Sequence, residues 1–209
     1  MFTSRFQDWV RRGARHIVPA LRVLRLTPNI LTMLGLLICA GSGVLIAFGY
    51  LLPGGLLLLI ASGFDILDGA LARVSGREQR YGAFLDSTVD RYAEAITAIS
   101  LLFFFIFHGH HTLEPMLVVF ALTGSLLVSY VRARAQSLGF NCNGGLLARP
   151  ERVVITVIGL VIAPLLVPAL WILAVLTNVT AVQRIWVVWQ QARRTPTDSR
   201  PAATGVPTG

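Results

Sequence analysis

Charge is scarce in this chain. Only 13% of its 209 residues are Asp, Glu, Lys or Arg, against about 25% in an ordinary soluble domain. Lysine is absent, so all 18 basic residues are arginine. The two cysteines, Cys39 in an apolar run and Cys142 in a polar segment, give no basis for a structural disulfide. A cleavable leader is not evident either: the first 28 residues hold six arginines and no continuous apolar core of the required length. What is abundant is apolar residue, 55% of the chain, in long runs that recur along its length. The bilayer is therefore the expected solvent. A net charge of +8 would suggest nucleic acid for a soluble protein. Here the arginines sit in short segments between apolar runs, as membrane topology requires. No basic face on a soluble domain exists, so no nucleic-acid partner is expected.

The pattern predicts an all-α integral membrane protein with six transmembrane helices, preceded by an N-terminal amphipathic interfacial helix. Residues 1–27 form the juxtamembrane segment. Within it Phe6, Val10, Gly13, Ile17, Leu21 and Leu24 recur at steps of three and four among interspersed arginines, and Phe6 and Trp9 suit the headgroup level. Residues 28–193 form the transmembrane domain, with spans over about Pro28–Leu52, Pro53–Arg73, Gly82–His108, Leu113–Leu138, Pro150–Leu166 and Pro168–Gln191. Residues 194–209, rich in Thr, Pro, Ser and Gly, read as a disordered tail. Alternate connections carry all the arginines, while those near Gly49–Gly55, His108–Pro115 and Leu165–Pro168 carry none. The positive-inside rule then places both termini on the cytoplasmic side of the cell (inner) membrane. His108, His110 and His111 fall on the opposite side and read as a polar turn. Trp171, Trp186 and Trp189 fall near span ends and read as interface anchors.

Five of the ten acidic residues are Asp65, Asp68, Asp86, Asp90 and Glu94. An aspartate at the bilayer centre costs on the order of 3 kcal/mol even on the lenient insertion scale, so an intramembrane acid is by default functional. Asp65 and Asp68 are i, i+3, and Asp86 and Asp90 are i, i+4, so each pair lies on one helix face. Their spans are antiparallel neighbours joined by a short loop, which lets the two faces oppose one another at the same depth. Four carboxylates gathered there repel unless cations lie between them. Oxygen ligands suit Mg²⁺ or Mn²⁺, with room for one or two ions. Gly69, Ala70, Ala72, Gly82 and Ala83 leave both helices thin beside the acids, either for close packing or for a bulky phosphorylated ligand. Arg73 is placed to neutralise phosphate or to mark topology. Glu94, one turn beyond Asp90, either supports the cluster or lines a wet crevice; spacing does not decide.

The run Asp65-x-x-Asp68-Gly69-x-x-Ala72-Arg73, eight residues, Gly82-x-x-x-Asp86-x-x-x-Asp90 resembles the signature of the CDP-alcohol phosphotransferases at all eight defined positions. Thr27-Pro28-Asn29 opening the first span and the six-span layout are similar as well. The resemblance covers nearly the whole chain except the tail. It implies that Asp65, Asp68, Asp86 and Asp90 hold the metals. Asp90 would also be the general base that deprotonates the acceptor hydroxyl. Gly69, Ala72 and Gly82 would let the CDP group approach the backbone, Arg73 would contact the diphosphate, and Asn29 would position the phosphates. The implied substrates are CDP-diacylglycerol and a small polar alcohol. The expected reaction is attack of the hydroxyl on the phosphorus nearer the lipid, with CMP leaving. A homodimer is implied by resemblance only.

A second constellation bears on the alcohol. Ser129-Tyr130-Val131-Arg132 closes the fourth span, Ala148-Arg149-Pro150-Glu151-Arg152 opens the fifth, and Gln183-Arg184 lies near the end of the sixth. This resembles the actinobacterial-type phosphatidylinositol-phosphate synthases, and implies that Arg132, Arg152 and Arg184 bind the phosphate of inositol phosphate, as guanidinium forks suit. Branches that make phosphatidylglycerol phosphate bind glycerol 3-phosphate, another phosphorylated acceptor, so a basic pocket alone does not separate the two. A transporter would show broken helices or internal repeats around a midplane site, and neither is present. A membrane metal hydrolase would use the same acids to activate water; release of CMP without any acceptor would reveal it.

Overall fold

The computed structural model describes residues 27–75, 80–108, 112–142 and 144–194, without the side chains of 72–75. The expected interfacial helix over 1–27, up to residue 26, and the tail beyond residue 194 lie outside the described residues, as do His110 and His111. The described chain is helical, with α1 Pro28–Ala47, α2 Leu51–Ser75, α3 Arg80–His108, α4 Leu113–Ser137, α5 Arg149–Val161 and α6 Leu166–Arg194. A short 3₁₀ turn, Ala163–Leu165, joins α5 to α6.

Helix starts follow local chemistry. Thr27 caps α1 by accepting from the Ile30 N–H through its hydroxyl, and Pro28 occupies the first turn, where its missing N–H costs nothing. The helix stops at Ala47, short of the expected Leu52, because Gly49 turns the chain with φ +85. That left-handed conformation favours glycine. The second helix consequently begins at Leu51, with Pro53 tolerated in its first turn. Ser42 then donates to the Gly54 carbonyl at 2.7 Å, and a Cβ on Gly54 would meet Ile46 Cγ1 at 2.6 Å, so the α1–α2 hairpin closes backbone to backbone.

Among the described residues, four stretches are long and apolar enough to cross a membrane: Pro28–Ala47, Leu51–Leu71, Leu113–Ser137 and Ala163–Arg194. This is a membrane protein of packed helices. The third helix has 29 residues but carries Arg80, Asp86, Asp90, Arg91 and Glu94 in its first half. The fifth has only 13 residues, about 20 Å of rise, against a hydrocarbon core of about 30 Å.

Contacts run α1 to α2 and α3, α2 to α5, α3 to α4, α4 to α6 and α5 to α6. Cys39, Ile46, Leu58, Leu101, Phe105, Val118, Leu160 and Leu170 form the main core. A small second cluster of Leu31, Ala70 and Leu71 packs beside the acids. Between α4 and α6 the backbones press close: a Cβ on Gly124 would meet Asn178 Nδ2 at 2.7 Å and Thr177 Cβ at 2.8 Å. Such small-residue contacts are the usual means of joining helices in lipid. Both cysteines are buried and free.

Candidate functional site

The start of α1, the end of α2, the starts of α3 and α5 and the ends of α4 and α6 meet at one end of the bundle. Asp65 and Asp68 on α2 face Asp86 on α3, and each of the three offers a carboxylate oxygen within 4.8 Å of the others. The i, i+3 spacing on α2 produces this convergence. Asp68 is buried, and the Thr32 hydroxyl of α1 donates to its Oδ2 at 2.5 Å. Hard oxygen donors this close fit a divalent cation by donor type and number.

Asp90, expected beside them, is engaged differently. Its Oδ1 lies 2.6 Å from Arg149 Nη2, and its Oδ2 lies 3.3 Å from Arg91 Nη1. Arg149 also pairs with Asp65 through Nη1. One guanidinium therefore bridges the acidic faces of α2 and α3. Arg149 has no assigned role in the sequence reading, where it passes for one more arginine at a span end. The start of α5 aims it. The Glu151 carboxylate accepts from the Ala148 N–H at 2.5 Å, and Pro150 lies in the first turn. Arg149 and Arg152, one turn apart, thus face the same groove.

Arg152 is buried, with Nη2 donating to Glu94 Oε1 at 2.6 Å. Ser125 of α4 donates to the other oxygen of Glu94 at 2.8 Å. Glu94 is therefore the counter-ion of Arg152, a partner that spacing alone does not reveal. Arg184 is buried too, donating to the carbonyls of Val128 at 2.6 Å and Gly144 at 3.0 Å. Arg132 is exposed. Arg132 and Arg152 both lie near enough for their charges to act on Arg184. A cavity runs inward from this end, lined by Asp65, Glu94, Arg149 and Arg152 at its polar mouth and by Leu101 and Leu170 deeper in.

Among the residues expected at the nucleotide, Asn29 and Gly82 face each other across α1 and α3: a Cβ on Gly82 would stand 3.4 Å from Asn29 Oδ1. Gly69 follows Asp68 on α2. The side chains of Ala72 and Arg73 lie outside the described residues.

Carboxylates fit for a divalent cation, ringed by arginines at one end of an apolar helix bundle, define a membrane metal site suited to phosphate chemistry. The model of the CDP-alcohol phosphatidyltransferase family matches residues 25–190, and the chain belongs to that family. It is accordingly a transferase dependent on a divalent metal. The phosphatidylinositol phosphate synthase of Mycobacterium tuberculosis is 35% identical over 173 residues, covering 78% of this chain and 80% of that one. The archaetidylinositol phosphate synthase of Methanothermobacter thermautotrophicus is 37% identical over 196 residues, 91% of this chain and 95% of its own. The crystal structure of the Mycobacterium tuberculosis enzyme with CDP-DAG bound superposes with a TM-score of 0.80 at 33% identity, covering 85% of this chain and 94% of that one. The same enzyme in complex with manganese and citrate also gives a TM-score of 0.80 at 33% identity, over 84% of this chain and 88% of that one.

Proposed function

We propose that the chain transfers the phosphatidyl group of CDP-diacylglycerol to inositol phosphate and releases CMP. The observation that carries the acceptor is the pair of buried arginines, Arg152 on α5 and Arg184 on α6, at the end of the bundle that holds the acidic cluster. Two relatives that match most of this chain are named for inositol-phosphate lipids. Arg132, exposed nearby, completes a basic lining for the acceptor phosphate.

In this reading the acceptor hydroxyl attacks the phosphorus nearer the lipid. The bond from that phosphorus to the oxygen shared with the CMP phosphate breaks, and CMP leaves with the electron pair. Asp90 takes the hydroxyl proton. Asp65, Asp68 and Asp86, joined by Asp90, hold one or two Mg²⁺ or Mn²⁺ ions, which when bound neutralise the diphosphate and the charge developing on CMP. The Thr32 hydroxyl keeps the Asp68 carboxylate oriented. Asn29, Gly69, Ala72 and Gly82 admit the CDP group, and Arg73 meets the diphosphate. The lipid tails remain in the bilayer, and α3 and α5, the latter lengthened by the Ala163–Leu165 turn, serve as the fifth and sixth spans. Both termini and the site face the cytoplasm across the inner membrane, and the enzyme works as a homodimer.

The test is CMP release by purified protein with CDP-diacylglycerol and Mg²⁺, given inositol phosphate, glycerol 3-phosphate, free inositol or no acceptor. Release with inositol phosphate alone supports the proposal. Release with glycerol 3-phosphate alone overturns the acceptor, and release without acceptor overturns transfer in favour of hydrolysis.

A further inference from the structure

Arg149 reaches from the start of α5 to both halves of the acidic cluster, pairing with Asp65 on α2 and, at 2.6 Å, with Asp90 on α3. Its side chain is 26% exposed, so water screens these contacts only in part. The guanidinium thereby takes an oxygen from each of two residues to which a cation would also bind. Charge gives this arrangement a consequence. Among the described residues, Asp65, Asp68, Asp86 and Asp90 meet two arginines, Arg149 and Arg91, leaving a formal deficit of two positive charges. One divalent cation fills that deficit. A second brings an excess of two positive charges, which withdrawal of Arg149 halves. Withdrawal needs somewhere to go, because a half-buried guanidinium without a partner is costly. A diphosphate is such a destination: the guanidinium fork matches phosphate as well as carboxylate and keeps its hydrogen bonds on moving.

We propose that Arg149 is an internal counter-cation that competes with divalent metal for Asp65 and Asp90, and that nucleotide diphosphate strengthens metal binding by drawing this arginine away. The inference rests on the proposed function, since it takes the aspartates as metal ligands and the nucleotide as neighbour. By linkage, metal must strengthen nucleotide binding by the same factor. Arg149 is then a positioning residue that couples the two ligands, so that carboxylates needed for the second cation are released only when the phosphates arrive.

The experiment measures Mn²⁺ binding to the full chain in lipid nanodiscs, from the electron paramagnetic resonance signal of free Mn²⁺, without nucleotide and with CDP. In the wild type CDP is expected to tighten Mn²⁺ binding. Arg149→Gln is expected to bind Mn²⁺ about tenfold more tightly than wild type without CDP, because a competing unit charge within about 4 Å is gone. Its response to CDP should shrink. Arg149→Lys keeps the charge but loses the fork, and should fall between the two. Thermal unfolding accompanies each titration. A folded Arg149→Gln that binds Mn²⁺ as the wild type does, or more weakly, overturns the proposal. If Gln fails to fold, Lys decides alone: Mn²⁺ affinity no higher than wild type overturns it. Wild type that binds no Mn²⁺ with or without CDP overturns the metal-dependent reading itself, and this inference with it.

Discussion

Removing Arg152 has two consequences that one assay would confuse. The guanidinium is buried and donates to Glu94 at 2.6 Å, with the two side chains 7% and 14% exposed. Truncation in Arg152→Ala leaves the Glu94 carboxylate buried with, among the described residues, the Ser125 hydroxyl as its hydrogen-bond partner. Breaking a buried pair from one side costs about 3–5 kcal/mol, whereas removing both partners is often close to neutral. For a chain of this size, 3 kcal/mol lowers Tm by roughly 6–12 °C. The double variant Arg152→Ala, Glu94→Ala should therefore recover most of the stability lost in the single one. The proposed acceptor role behaves differently, because it depends on the arginine alone. Both variants should show a raised KM for inositol phosphate, by about tenfold or more for one lost charge-assisted contact of 1.5–3 kcal/mol. Thermal unfolding in detergent gives the first quantity and CMP release against inositol phosphate concentration the second. A single variant as stable as wild type would refute the buried pair. A double variant with normal KM would remove Arg152 from the acceptor site.

Two further outcomes follow from the same geometry. Asp90→Asn should abolish CMP release and, because Arg149 keeps Asp65 as a partner, lower the unfolding temperature less than Arg152→Ala does; turnover near wild type would exclude Asp90 as the base. Gly124→Val should lower stability by about 1–3 kcal/mol, since its Cβ would come within 2.8 Å of Thr177 Cβ; equal unfolding temperatures would show that α4 and α6 do not pack there as described.

Much of this was legible because the acids are so few. With 13% charged residues in the chain, five acids at i, i+3 and i, i+4 spacing stand out against the apolar runs, and helix periodicity converts those spacings into faces. The element ends were less legible where apolarity continues through a break. The expected fifth span runs to Leu166, but α5 ends at Val161. Pro164 lacks an N–H and its ring opposes the preceding turn, so the helix stops although hydrophobicity persists. The first span likewise reads through Gly49, whose left-handed turn leaves no trace in hydropathy. Thr32 was hidden for a different reason: one hydroxyl in an apolar helix gains meaning only from the Asp68 oxygen 36 residues away.

Arginine was the least legible residue of all, and the structure explains why. At span ends it marks topology whether or not it binds anything, so Arg149, Arg152 and Arg184 look alike in sequence. Their partners separate them. Arg149 is committed to Asp65 and Asp90, Arg152 to Glu94, and Arg184 to backbone carbonyls. Carbonyl oxygens carry no net charge, so Arg184 retains a whole positive charge for an anion, while Arg149 and Arg152 offer theirs only in exchange for a carboxylate. In the proposed reading a phosphorylated acceptor would meet at Arg184 a charge held only by carbonyls, and the two exchanging arginines would make its binding depend on what the acids hold.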